Sequence, residues 1–249
     1  MGLYEDLVER ALSLARGKRV KRVVINPFYA FAEIERGGSG LAFVDREIIQ
    51  ACCEDDSDSY WKKAADLMVK EYLYPAGLKS TISLAVMNAL FNNRKELLKE
   101  AIKEDPLDLI ELSPEDEILM IGYFEPLMKK LQGRVRKIWV VEKPNPFQDL
   151  SRIEDFKKIK VAIITSATLS NKSLHVYFPY LEKIPEVILI GPSTPLSPEV
   201  FKYTPITWLS GSMVKESELL FKLVCEGKGA KSFFKSGALE KINLKIEKK

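Results

Sequence analysis

The chain has 249 residues, 46% of them hydrophobic and 29% charged, with a formal net charge of +3. That is apolar material enough for one large domain or two ordinary ones, and too even a charge balance for a nucleic-acid-binding stripe. No apolar run approaches the roughly 20 residues of a membrane span, and three cysteines, Cys52 and Cys53 adjacent, make no disulfide framework.

Glu5, Asp6 and Glu9 interrupt any apolar segment at the N-terminus and argue against a signal peptide. A reduced, cytoplasmic protein is the expectation. Gln50, Gln132 and Gln148 are the only glutamines among abundant Lys and Glu, a balance that points to a thermophilic source. The short basic run Arg134-Val135-Arg136-Lys137 flanks a predicted strand and reads as a solvated edge.

In chain order, residues 3–16 predict an amphipathic helix, with Leu3, Leu7, Ala11 and Leu14 on one face. Residues 20–26 follow as a strand. Residues 29–35 and 41–44 read as two strands around Arg36-Gly37-Gly38-Ser39-Gly40, whose glycines would supply the positive φ of a hairpin. The first 45 residues therefore predict a small antiparallel sheet. Cys52-Cys53-Glu54-Asp55-Asp56-Ser57-Asp58 mixes soft thiolates with hard carboxylates, fits no zinc spacing, and reads as an acidic loop capping the next helix through Asp58 or Ser59. That helix, 60–73, would place Trp61, Ala65, Met68 and Tyr72 on one stripe. Residues 81–91, capped by Ser80, predict a buried central helix carrying Asn88, a buried amide that needs partners. A polar helix, 94–103, closes this half.

Prolines and acids between Asp105 and Pro114 mark a boundary, giving domains 1–108 and 109–249. Beyond it the rhythm changes to strand 117–121, helix 126–131, strand 137–141, the turn 143–146, helix 153–157 and strand 161–165. Strands 187–190 and 206–209, helix 217–225 and a closing strand 242–246 complete the chain. Continuous apolar strands separated by helices predict a mostly parallel sheet covered on both faces.

In such sheets ligands sit beyond the carboxyl ends of the strands. Those ends carry Gly122-Tyr123-Phe124-Glu125, Glu142, Thr165-Ser166-Ala167-Thr168, Gly191-Pro192-Ser193-Thr194 and Ser210-Gly211-Ser212. Glu142 stands about 20 positions past Gly122, where an acid binds ribose hydroxyls in dinucleotide-binding folds. Phe124 and Leu127, however, occupy the later glycine positions of that fingerprint, which disfavours a dinucleotide and leaves room for a nucleoside such as S-adenosylmethionine. His175, the only histidine, has no identifiable nucleophile partner in the sequence.

Three of these stretches resemble a known two-domain family, the putative heavy-metal chelation proteins of bacteria and archaea: Met120 to Leu127, Ile164 to Asn171, and Leu189 to Pro198 with its Gly-Pro-Ser-Thr-Pro. Leu209-Ser210-Gly211-Ser212 is similar as well, and weaker likeness at Phe28 to Val44 and Ser83 to Leu90 extends over most of the chain. The resemblance implies an α/β protein: a small α+β, enolase-N-terminal-like domain followed by a Rossmann-like domain with a mostly parallel sheet and an interdomain cleft. It also implies handling of metals or of small chelating molecules, with partial likeness to methyltransferases. One histidine and no spaced cysteine set make direct heavy-metal ligation hard to build, so an organic chelator is the easier cargo.

The expectation is a cleft for a small polar organic ligand, nucleoside-containing or a metal chelate, with no metal held directly by side chains. Glu142 would anchor hydroxyls, and backbone amides near Gly122, Gly191 and Gly211 would meet anionic groups, with Pro192 a further ligand contact. Thr165, Thr168, Asn171, Ser193 and Thr194 would donate and accept hydrogen bonds, with Tyr123 or Phe124 stacking on a ring. Asn26, Tyr29 and Asn88 are candidate wall residues from the first half. Two alternatives stand beside this reading: a methyltransferase-like or condensing enzyme using Glu125 as base, and a direct metal-binding protein using Cys52 and Cys53. No nucleic-acid or membrane partner is expected, and self-association is left open.

Overall fold

The computed structural model describes residues 2–45, 59–143 and 145–248. The first half opens on the helix Leu3–Ala15, which buries Leu3, Leu7, Val8, Ala11 and Ala15. Three strands follow, β1 (Val20–Ile25), β2 (Tyr29–Ile34) and β3 (Ser39–Phe43), in an antiparallel sheet of order β1-β2-β3. The hairpin between β2 and β3 is present, but its left-handed residue is Arg36, at φ 52°, rather than a glycine. Gly40 serves a different need: a Cβ there would stand 2.2 Å from the backbone nitrogen of Ala89. Its absence lets β3 lie directly on the helix Leu78–Phe91, whose residues from Ser80 onward are all buried.

The helix expected over 60–73 starts only at Ala65 and runs to Lys70, with a 3-10 turn, Glu71–Leu73. Its expected beginning is occupied otherwise. Lys62 N–H donates to the Val20 carbonyl at 2.7 Å and Val20 N–H to that of Lys63 at 2.9 Å, so this segment extends the sheet edge. Trp61 lies off the buried stripe, 52% exposed, with its indole N–H on the Val23 carbonyl. Ala64 takes the N-cap position expected of Asp58 or Ser59; Asp58, like the whole Cys52 to Asp58 stretch, lies outside the described residues. Ser80 falls inside its helix, which begins at Leu78. The helix expected over 94–103 is confined to Lys95–Glu100, because Ile102 pairs instead with Asn243.

The second half is a six-stranded sheet of β4 (Glu117–Ile121), β5 (Lys137–Val141), β6 (Ile159–Thr165), β7 (Glu186–Ile190), β8 (Trp208–Val214) and β9 (Leu239–Lys245). Its order is β5-β4-β6-β7-β8-β9, parallel except for β9, which runs against β8. The mixed α/β class and mostly parallel sheet expected from the alternation of apolar runs are what the chain forms. The helix expected over 153–157 is replaced by Pro146–Ser151, started by proline at its first turn, and a 3-10 turn, Phe156–Lys158. Short helices at Ala167–Ser170, Phe178–Leu181, Pro198–Phe201 and Ala230–Lys235 carry no usable periodicity in sequence.

The two halves share apolar packing. One cluster runs from Leu7, Met68 and Met87 to Ile164, Leu169 and Leu196. Another seats Leu220, Val224 and Phe233 against Phe31 and Leu41, so the helix Ser217–Cys225 covers the far face of the small sheet. No helix among the described residues is long and apolar enough to cross a membrane.

Candidate functional site

β4 connects to β5 on one side of the sheet and the chain then returns to β6 on the other, so the order reverses between β4 and β6. A crevice opens at such a reversal, beyond the carboxyl ends of the strands. Here it is a cleft of about 320 Å³ lined chiefly by Gly122, Glu142, Lys143, Thr165, Thr168 and Asn171, with Ser173 and Tyr177 behind and Asp45 from the first half.

Gly122 makes the floor. Its φ of +86° is the left-handed region, and a Cβ would stand 2.7 Å from Thr165 Cγ2. Both the backbone turn and the space above it therefore require glycine. Glu142 ends the neighbouring strand and its Oε1 accepts the Tyr123 N–H at 3.0 Å, fixing the turn. Its Oε2 accepts no hydrogen bond among the described residues, so one carboxylate oxygen is available, not two. Lys143 forms an ion pair with Asp45 at 3.0 Å, joining the two halves at the rim. Thr168 donates its hydroxyl to the Thr165 carbonyl at 2.7 Å, and Asn171 Oδ1 accepts from the Ser173 amide and hydroxyl, at 3.1 and 2.6 Å. Burial pushes the Tyr177 phenol above its ordinary range.

Of the residues singled out in the sequence, Gly122, Glu142, Thr165, Thr168 and Asn171 come together in this cleft. Tyr123 is 54% exposed beside it, and Phe124 packs with the cluster of Ile118 and Met120; neither lines it. Gly191, Pro192, Ser193, Thr194 and Gly211 gather elsewhere, in a polar seam between the halves. Asn88 Nδ2 donates to the Leu41 and Ser193 carbonyls, and Asn92 Nδ2 to those of Thr194 and Ser212. Ser193 Oγ accepts the Phe43 N–H at 2.6 Å, and the Pro192 carbonyl accepts from Ser212 Oγ. A Cβ on Gly191 would meet Ser166 Oγ at 2.4 Å, and one on Gly211 the Thr194 carbonyl at 3.0 Å. The Ser193 and Thr194 groups are thus engaged in joining the two halves, and Gly191, Pro192 and Gly211 in close packing within the second.

Asn26 is likewise engaged, donating to the Val224 and Lys228 carbonyls and accepting from Phe28 and Tyr29. Tyr29 is buried against Phe43 and Phe233. Glu125 pairs with Lys129 at 2.6 Å and does not line the cleft, which deprives the transfer or condensation alternative of its candidate base. Among the described residues no three His, Cys, Asp or Glu side chains converge as a metal site. Within the cleft the donors are the carboxylates of Asp45 and Glu142 beside a lysine, a set that does not fit a soft heavy metal held directly.

Sequence reasoning missed Asp45, Lys143, Ser173 and Tyr177. Lys143 adjoins Glu142, and Ser173 and Tyr177 continue the loop from Asn171, so following each strand-end loop further would have found them. Asp45 reaches the cleft only through the tertiary placement of the β3 end.

The DUF364 family model, described as putative heavy-metal chelation, matches residues 105–243, and the DUF4213 model, of the same description, matches residues 5–91. The chain belongs to the DUF364 family. A crystal structure of a DUF364 protein of unknown function from Pyrococcus horikoshii superposes with a TM-score of 0.82 at 19% identity, covering 98% of this chain and all of that one. A second DUF364 protein of unknown function, from Desulfitobacterium hafniense, gives 0.77 at 20% identity, covering 98% of each chain. A comparison with curated proteins finds no match.

Proposed function

We propose that the cleft over β4 and β6 binds a small polar organic molecule, nucleoside-containing or a metal chelate, and that the protein serves chelation through this cargo. One observation carries the reading. Gly122 is held left-handed on the cleft floor, where a Cβ would run into Thr165, at the point where the strand order reverses. The volume lies at the lower end of small-molecule pockets. Glu142 Oε2 accepts a ligand hydroxyl, and Lys143 and the Thr165 and Asn171 side chains meet anionic or carbonyl groups. Phe124 and Leu127 stand where the dinucleotide fingerprint has glycines, so a dinucleotide is not the cargo. A chelate suits the donor set better than a bare ion, since the organic ligand brings its own metal donors. Neither nucleic acid nor membrane enters this reading, and the two halves act as the domains 1–108 and 109–249 that enclose the cleft.

A thermal-shift screen of S-adenosylmethionine, other nucleosides, pterins and metal–chelate complexes tests it, run on the wild type and on Glu142→Gln. Glutamine retains an acceptor for the Tyr123 N–H and replaces the free acceptor with a donor. The expected result is a compound that raises the midpoint of the wild type and fails to do so for the variant. Equal stabilisation of both proteins by every hit would overturn the reading.

A further inference from the structure

The cleft wall from Asn171 to Tyr177 is gripped from behind. The helix Ala167–Ser170 ends with Ser173 N–H on the Thr168 carbonyl at 2.9 Å and with Lys172 left-handed, at φ 60°. That is the helix-terminating motif whose left-handed position is ordinarily glycine. Lysine is a strained choice there for the backbone, and its side chain shows what it does instead. Its ammonium lies 3.7 Å from the centre of the Tyr72 ring and 5.0 Å from that of Tyr4, and it donates to the Tyr72 carbonyl. Tyr72 returns the grip, donating its hydroxyl to the Leu169 carbonyl at 2.9 Å. His175, three residues on, meets the Tyr4 hydroxyl through Nδ1 at 3.1 Å. Tyr4 and Tyr72 belong to the first half; Asn171, Ser173 and Tyr177, on the gripped loop, line the cleft.

We propose that Lys172 is a positioning residue of the cleft, its ammonium clasped by Tyr4 and Tyr72 so that the Asn171–Tyr177 wall is held at a fixed distance from Gly122 and Glu142. The functional meaning of this clasp rests on the cleft being a ligand site; the clasp itself is a property of the unliganded chain. The same cage couples the wall to the first half, so a shift of the N-terminal helix moves Asn171 and Ser173 with it.

Hydrogen exchange on the unliganded full chain, read by mass spectrometry over residues 168–178, separates this from a merely structural lysine. Lys172→Gly removes the backbone strain and the clasp together. It is expected to leave the thermal midpoint unchanged or higher while exchange in this segment rises at least about tenfold. Lys172→Met, which keeps the length and loses the charge, is expected to loosen the segment equally, and Lys172→Arg, still a cation for the rings, to restore wild-type protection. Wild-type protection in Lys172→Gly, a loss spread evenly over the chain with a falling midpoint, or failure of arginine to rescue would each overturn the proposal. None of these readings uses a ligand, so they stand apart from the outcome of the screen for one.

Discussion

The Glu142 carboxylate and the Tyr123 amide, 3.0 Å apart, tie the end of β5 to the turn that follows β4. The acid that resembles a ribose anchor is thus also the fastening of its own cleft floor. The two roles separate by substitution. Glu142→Ala strips the turn of its acceptor and is expected to destabilise by about 1 kcal/mol, the net worth of such a hydrogen bond, whereas Glu142→Gln stays within about 0.5 kcal/mol of wild type. Urea midpoints of the two variants decide it; equal losses would show that the bond to Tyr123 contributes nothing.

Gly122 is subject to two constraints and Gly133 to one. Both are left-handed, at φ +86° and +79°, but only at Gly122 would a Cβ meet another atom, Thr165 Cγ2 at 2.7 Å. Gly133→Ala therefore carries the conformational penalty alone, about 1 kcal/mol, and Gly122→Ala about 2 kcal/mol or more. Adding Thr165→Ser, which deletes the clashing methyl, should recover part of the difference. Additive effects of the two substitutions in a double-mutant cycle would contradict the close approach.

The stretches that were readable in sequence and those that were not differ in where their constraints come from. β4 and β6 could be read because runs such as Ile118 to Ile121 are buried on both faces and need no partner to be recognised. The helix Leu78–Phe91 could be read for the same reason. The false start at Trp61 arose because a helical period was present while the backbone of Lys62 and Lys63 was claimed by pairing to Val20. Ser193 and Thr194 looked like ligand contacts because small polar residues beside glycine suit both a ligand and a buried seam. Only the positions of Asn88 and Asn92, a helix away in space and about 100 residues away in sequence, show that their carbonyls already have donors.

That seam makes a prediction of its own. Asn92, almost fully buried, donates to the Thr194 and Ser212 carbonyls and accepts the Leu196 N–H at 2.8 Å. Asn92→Ala leaves three buried backbone groups without partners, and the expected loss is about 3 kcal/mol or more, with the cleft residues untouched. Asn93→Ala, half-buried and bonded to the Ser39 and Ala89 carbonyls, should lose less than half as much. Denaturant unfolding of the pair checks the ranking, and similar losses would mean that water enters the seam readily.

Glu199 links acid sensitivity to a different contact between the halves. Burial pushes its carboxyl up, but the hydrogen bonds from its own backbone N–H, Arg10 and Arg94 outweigh burial and hold it below the ordinary glutamate range. Arg10 lies 2.7 Å and Arg94 3.0 Å from Oε1. A carboxyl depressed in the folded state binds its proton more readily once the chain unfolds. Its contribution is therefore complete above the unfolded value, near pH 4.3, and disappears as the pH falls through the lower folded value. Glu199→Gln should accordingly be less stable than wild type at pH 7, and the gap should narrow as the pH is lowered to about 3. Urea midpoints at the two pH values measure it. A gap that stays constant, or widens in acid, would place the stabilisation in packing rather than in the charge.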